Sequence, residues 1–598
     1  MASSATVDPS PIAYRGGGFV FLPVLSAPIF TREAISDEQK SFAKTAHDFA
    51  VQDVEPHAAA IERKQPGLML QIMKKAAEIG MFMVEIPEEY GGLGLDKVTA
   101  MVMGEEIARN ASFSVTIGAH TNIGTMPTVY YGTEDQKARY LPKLASGELL
   151  AAYCLSEPDS GSDALSAKTT AVLNEEGTHY VMNGTKQWIT NGAFADLFTV
   201  FAQVDGDKFT AFLVEKSFSG VSLGAEEHKL GIRGSSTTQL ILEDVHVPVE
   251  NVLGEVGRGH KIAFNILNIG RWKLGAATIG GAKHVLAHAA KYASERKQFG
   301  KPLSDFGLIQ EKLARSAMLI FAGESMAYRT GGLIDERIAE LDASSPSFHV
   351  ECMAVIEEFS IEASILKVFG SEAGWMIADE ALQIHGGNGY VEDYPVERSL
   401  RDMRINRIFE GTNEINRMLI PGTILKRAMK GELPLLQFSQ DVMGELNAPE
   451  TLPKPGAGPL GNELCAVELS KRAATLAASK AVQKHMQGLQ EQQVLLAELA
   501  DLFIAVYAMD SALARAHQGQ GAKPDARSES HLELARLFVA ESRGEVMAKL
   551  RRIGPMLCDG AELDEFFVYV SLLDRPYAVD VLALQRSIAA RVVEGQGA

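Results

Sequence analysis

The sequence predicts an α+β multidomain chain, in the order helical region, β region, second helical region and further helical region. Three observations predict it. Apolar residues recur at helical intervals from Phe42 to about Leu150. From about Ala151 the text turns to short strands joined by Asn/Asp/Gly turns, and near Lys261 helical text returns. A Pro/Gly-rich interruption at Asn447–Gly461 then separates a last helical stretch, giving domains at 1–33 (leader), 34–150, 151–260, 261–430, 431–461 (linker) and 462–598.

Each element has its own signal. In the leader, Phe19–Ile29 is apolar, but Pro23 and Pro28 interrupt it and only Arg15 precedes it. That is a poor match to a secretory or mitochondrial targeting segment, so an extended leader packed on the body is expected. The expected compartment is cytoplasmic, with the mitochondrial matrix as the alternative. Ser36 and Gln39 have capping-box spacing ahead of Phe42, Ala46, Phe49 and Ala50. In the β region, Lys168–Val172 and Thr178–Met182 flank an Asn174–Gly177 turn, and Phe198–Ala202 and Phe209–Val214 flank Asp205-Gly206. Both read as hairpins. The last helical stretch includes an amphipathic segment, Leu534–Leu550, suited to a core or to a membrane surface.

Composition narrows the function. At 598 residues, 46% hydrophobic and 22% charged, the chain is globular and needs no staples. A net charge of −19 argues against a nucleic-acid partner but leaves room for a locally basic pocket. The four cysteines, Cys154, Cys352, Cys465 and Cys558, are too far apart for a zinc motif or a disulfide framework. No metal site is expected. There is no P-loop, no G-x-S-x-G elbow and no H-E-x-x-H, and the clusters Gly16–Gly18 and Gly386–Gly389 lack the context of a dinucleotide fingerprint.

Four blocks carry the chemistry: Tyr153-Cys-Leu-Ser-Glu-Pro158 running into Ser160-Gly-Ser-Asp163; Lys186-Gln-Trp-Ile-Thr-Asn-Gly192; Arg296-Lys-Gln-Phe-Gly-Lys301; and Gln383-Ile-His-Gly-Gly-Asn-Gly389 with Arg401 to Thr412. In this order and spacing the chain resembles the acyl-CoA dehydrogenase family over roughly Ser36 to Lys430, and the further helical region resembles that of the very-long-chain type. The resemblance implies an N-terminal α-helical domain, a middle β-barrel or sandwich, a C-terminal four-helix bundle and an additional helical domain. It also implies FAD as cofactor and a fatty acyl-CoA as substrate.

By that resemblance, Glu410 in Phe409-Glu410-Gly411-Thr412 is the base that removes the α-proton. The chemistry asks for such a group, because burial raises a carboxylate towards the working pH. For an isolated glutamate, surface pairing with Arg404 or Arg407 would be the ordinary reading. The Glu410 backbone N–H and a flavin ribityl hydroxyl are implied donors to the thioester oxygen, with Gly411 permitting close approach. Implied flavin contacts are Tyr153, Leu155, Ser156, Trp188 and Thr190, together with Thr412 and Glu414. Thr412 also suits a helix N-cap, and Trp188 taken alone would suit a core. Arg296 and Phe299 resemble pyrophosphate and adenine contacts, Gln310 stands at a related position, and Gln383 and Gly387 resemble contacts from a neighbouring subunit.

Ser162 resembles a contact to the CoA portion. Arg271 resembles an arginine beside the base, and its presence argues against the subgroup that carries its base there. Gly118 and Ala119 replace the bulkier polar groups of medium-chain relatives, which points to a deep cavity for long chains. The implied partners are the acyl-CoA, an electron-transfer flavoprotein and a second copy in a homodimer, with membrane contact left open. An oxidase using oxygen and a flavin-binding assembly protein are the alternative functions.

Overall fold

The computed structural model describes residues 14–520 and 525–595. The expected capping box is present. Gln39 N–H donates to Ser36 Oγ, Ser36 N–H donates to Gln39 Oε1, and the helix Asp37–Phe49 follows. It packs on the helix Lys97–Ile107, over a core that includes Phe49, Met73, Phe82, Phe113 and Ile117.

The middle region is an eight-stranded sheet: β1 (Ala151–Cys154), β2 (Thr170–Leu173), β3 (His179–Thr190), β4 (Leu197–Val204), β5 (Lys208–Glu215), β6 (Val221–Leu223), β7 (Thr237–Pro248) and β8 (Val252–Leu253). The order is β6-β7-β3-β2-β4-β5-β8, with β1 parallel to β4. Both expected hairpins form, and the second turns through Asp205 and Gly206 at φ 54° and 88°. The strands β4 and β5 are nearly continuous apolar text because both faces are covered. Phe198, Val200, Phe212 and Val214 fill one side, while Phe201, Phe209 and Leu213 meet Ile262, Ile266 and Ile269 on the other. That second face seats the sheet on the helix Gly259–Glu295.

Gly259–Glu295, Gly307–Ala339, Ser360–His385 and Asn413–Met429 form a four-helix bundle. Within 431–461, read from the sequence as a linker, Leu435–Asn447 is a helix with Leu435, Val442 and Leu446 buried. Helices Gly461–His485, Gln493–Gln518, Ala526–Leu557, Gly560–Leu573 and Val581–Val593 complete the chain and share one apolar core with the bundle. The Leu534–Leu550 stripe faces that core, with Leu534, Leu537, Phe538, Val546 and Leu550 buried. No helix among the described residues is long and apolar enough to cross a membrane. The four cysteines are free and buried.

The described part of the leader is wedged between the bundle and the last helices. Phe19 is buried with its ring 4.8 Å from that of Tyr507. Gly17 N–H donates to Glu362 (2.7 Å), and Lys471 donates to the Leu22 carbonyl (2.6 Å). Residues 1–13 of the expected leader lie outside the described residues.

Candidate active site

Glu410 sits in a short loop between the 3-10 turn Arg404–Arg407 and the helix Asn413–Met429, whose N-cap is Thr412 accepting from Ile415 N–H (3.2 Å). Glu410 and Gly411 both have left-handed backbone, φ 59° and 79°. Glycine adopts this freely, but a glutamate there costs about 1 kcal/mol or more, so the surroundings must hold it. They do so through the carbonyls. Arg271 Nε donates to Glu410 O (3.2 Å), and Lys367 Nζ (2.7 Å) and Asn416 Nδ2 (2.8 Å) donate to Gly411 O. Asn416 Nδ2 also donates to Thr412 O (3.0 Å).

The Glu410 carboxylate borders a cavity, yet its Oε2 is buried without a hydrogen-bond partner. Neither Arg404 nor Arg407 pairs with it among the described residues, so the surface reading of this glutamate does not hold. Burial pushes its pKa up to about 7, against the opposing pull of the Arg271 and Lys367 cations. A carboxylate oxygen shielded from solvent and left unpaired is arranged to take a proton from a ligand.

Gly270 makes room for it. A Cβ at this position would lie 2.6 Å from Glu410 Oε2 and 2.9 Å from its carboxyl carbon. Gly270→Ala should therefore turn the carboxylate aside while leaving the helix intact, since alanine is the better helix former. The expected result is a rate of substrate-driven flavin reduction lower by about 10²-fold, read by stopped flow, with the thermal midpoint unchanged or raised.

From Thr190 and Glu410 the cavity runs along the helix Gly259–Glu295, past Gly270, Leu274, Ala277 and Gly281. Gly270 and Gly281 are eleven residues apart, a rise of about 16 Å. Met101, Gly104, Ile107 and Ala108 line it as well, with Ala108 against Gly281. Charged groups interrupt the apolar lining: Asp402, and Glu85 with Lys273. Glu85 pairs with Lys273 and, at 2.7 Å, with Lys97, and Lys273 also donates to Asn122 Oδ1 (2.6 Å). Burial raises the Glu85 carboxyl, but the two ammonium groups outweigh it and hold it at about 2.

Family models match in the same order as these regions. Acyl-CoA dehydrogenase N-terminal, middle and C-terminal domains match residues 36–148, 152–245 and 257–425, and a second model described as an acyl-CoA dehydrogenase C-terminal domain matches 469–573. The chain belongs to the acyl-CoA dehydrogenase family. It is 47% identical to a probable acyl-CoA dehydrogenase of Bacillus subtilis (strain 168) over 97% of this chain and 98% of that one. A crystal structure of an acyl-CoA dehydrogenase complexed with FAD from Bacillus anthracis superposes with a TM-score of 0.95 at 45% identity, covering 98% of this chain and 100% of the other. The mitochondrial very long-chain specific acyl-CoA dehydrogenase of Rattus norvegicus is 41% identical over 73% of this chain and 68% of its own length.

The structure brings some of the residues expected from this family together and sets others apart. Thr190 shares the cavity with Glu410. Tyr153, on β1, is buried, donates to Ala263 O (3.2 Å) and lies within electrostatic reach of Glu410. The carbonyls of Leu155 and Ser156 accept from Lys186 Nζ (3.3 Å) and Gln187 N–H (2.9 Å), which fixes the end of β1 to β3. Trp188 is not a core tryptophan. It sits at a bulge of β3 with φ 61° and is 61% exposed. Phe299, φ 51° and 94% exposed, caps a small hairpin (Lys297–Gln298 with Lys301–Pro302) directly after Arg296. Large rings held in solvent by strained backbone suit coverage by a planar ligand or a partner, so the residues present fit a flavin nucleotide.

Gln310 is half-buried and donates to Ser304 O (3.1 Å), whereas Glu414 and Ser162 are exposed. Gln383 and Gly387 are also exposed, at the far end of Ser360–His385, where Asn388 donates to the Tyr292 hydroxyl (2.9 Å) near Arg296. Arg271 is placed on the Glu410 carbonyl rather than its carboxylate, and also donates to Asn268 (2.9 Å). Sequence reading missed Gly270, Lys367 and the Glu85–Lys273 pair. Gly270 had a signal, a glycine in the interior of a 37-residue helix, where it costs about 1 kcal/mol. Lys367 had none, because one lysine in a long helix looks like any other.

Proposed function

We propose that the chain dehydrogenates long-chain fatty acyl-CoA thioesters at the α,β positions to trans-2-enoyl-CoA, with FAD as cofactor. The observation that carries this is the Glu410 carboxylate, unpaired at Oε2 where it borders a long, mostly apolar cavity. Glu410 takes the α-proton onto its carboxylate, and its backbone N–H donates to the thioester oxygen as charge develops there. FAD, when bound, accepts the β-hydrogen as hydride. Tyr153, Leu155, Ser156, Trp188, Thr190, Thr412 and Glu414 hold the flavin end, with Arg296, Phe299 and Gln310 towards the dinucleotide end. Ser162 meets the CoA portion, and Gln383 and Gly387 serve the neighbouring subunit's cofactor in a homodimer. The exposed rings of Phe299 and Tyr390 near that end support such an interface. Electrons leave to an electron-transfer flavoprotein. The similarity to a bacterial protein along nearly the whole chain supports a cytoplasmic setting.

Anaerobic mixing of the purified flavoprotein with palmitoyl-CoA tests this reading: the flavin band bleaches. A flavin that stays oxidised with palmitoyl-CoA and with shorter acyl-CoAs alike overturns it and favours an assembly role.

Chain length has its own test. A side chain at Gly104 would enter open space, with no atom within 4 Å of an added Cβ. Gly104 lines the cavity, so Gly104→Leu should take up part of its volume without disturbing the fold. The expected result is a kcat/KM for palmitoyl-CoA reduced by about tenfold or more relative to octanoyl-CoA.

A further inference from the structure

Lys367 is a lysine shielded from solvent. It lies on the helix Ser360–His385 with its side chain fully buried, and its ammonium is 2.7 Å from both Gly411 O and Asn413 Oδ1. Asn413 is held in turn by Ser371 (3.0 Å) and Glu372 (3.0 Å). A buried ammonium is costly, and an asparagine or serine could satisfy the Gly411 carbonyl without that cost. The charge itself therefore calls for a reason. The loop it grips belongs to Glu410, and Arg271 grips the preceding carbonyl.

We propose that Lys367 is a positioning residue for the base, one that locks the left-handed Glu410–Gly411 turn through the Gly411 carbonyl and, with Arg271, supplies the buried positive charge that favours the ionised form of Glu410. The inference rests on Glu410 being the base. Charged and titratable groups face this pair from every neighbouring element: Arg271 from Gly259–Glu295, Tyr153 from β1, Glu372 from the Lys367 helix itself, and Glu414 from the following helix. Arg417 offsets Glu372, at 2.7 Å. Burial drives Lys367 down to about 7, against the Glu410 charge, and drives Glu410 up to about 7, against Arg271 and Lys367. Each thus favours the charged form of the other, and they titrate as a linked pair.

The test reads the carboxyl group directly. In the holoenzyme, the infrared carboxylic-acid C=O band that is lost in Glu410→Gln is titrated with pH, without substrate. Wild type should show a midpoint near 7. Lys367→Gln keeps a donor for the Gly411 carbonyl but removes the charge, so the midpoint should rise by about one unit or more. The acid limb of flavin reduction by palmitoyl-CoA should move by the same amount. Lys367→Met covers the case in which glutamine misfolds, and Lys367→Arg should hold the wild-type midpoint. An unmoved midpoint in a folded neutral variant, with only the thermal midpoint lowered, reduces Lys367 to a brace and overturns the proposal. A displaced midpoint in Lys367→Arg overturns it too. Wild-type flavin that no acyl-CoA bleaches would instead sink the reading of Glu410 as base, which the infrared titration alone does not touch.

Discussion

Glu410→Gln should leave the flavin oxidised on the timescale at which palmitoyl-CoA bleaches wild type, with the reduction rate down by about 10²–10⁴-fold. Glutamine has nearly the same shape, so the cavity and the loop carbonyls keep their partners and only the proton acceptor is lost. The pH dependence should change with it. Glu410 acts when ionised, so the wild-type rate rises with pH through about 7, and the residual rate of the variant is flat there. Stability should move the other way. Burial raises the Glu410 pKa above its unfolded value of about 4.5, so its favourable contribution is present at low pH and is lost as pH rises through about 7. A neutral glutamine carries no such loss. Thermal midpoints at pH 8 should therefore be equal or higher in the variant, while at pH 5 the difference closes. A variant that is inactive and also destabilised at pH 8 would mean that Glu410 holds the loop rather than the proton.

The fold and the candidate base were legible because their signals are local. Ser36 and Gln39 spell a cap within four residues, Asp205-Gly206 spells a hairpin, and Phe409-Glu410-Gly411-Thr412 is a contiguous motif. Most of what surrounds Glu410 was not legible, because it comes together only in three dimensions. The resemblance marked Arg271, but Gly270 and Lys367 reach the Glu410 loop from two different helices, 140 and 43 positions away, and neither would be remarked alone. Glu85 and Lys273 likewise meet across 188 residues. The reading of 431–461 as linker followed its Pro and Gly content, but Leu435, Val442 and Leu446 have helical spacing, and burial against the last helices settles their structure. Trp188 shows why residue type alone is a poor guide and the motif around it a better one. A tryptophan is expected inside, and this one is held outside by a bulge.

The leader and the last helices pose a stability question that Asp510→Asn answers. Asp510, on Gln493–Gln518, is buried between two cations: Arg329 of the bundle at 2.7 Å and Lys471 of Gly461–His485 at 2.5 Å. Lys471 also holds the Leu22 carbonyl, and Arg329 lies over the rings of Tyr14 and Tyr507. One carboxylate thus joins leader, bundle and last helices. Replacing it by asparagine leaves two buried cations facing a neutral amide, which should cost about 3–5 kcal/mol. Thermal unfolding should show an earlier first transition, and limited proteolysis should open the leader and the last helices together. Lys471→Met in the same chain removes one of the stranded charges and should restore part of the loss, a coupling that a double-mutant cycle measures. The sign with pH is also fixed. Burial pushes the Asp510 pKa up, but Lys471 and Arg329 outweigh it and hold it below 3.8. Its contribution is therefore present above the unfolded carboxylate value and is lost as pH falls through the folded one. Wild type should lose its advantage over Asp510→Asn as pH falls below the usual carboxylate range. Equal stabilities at pH 7 would show that the apolar core shared with the bundle, rather than this ion triad, fastens the last helices.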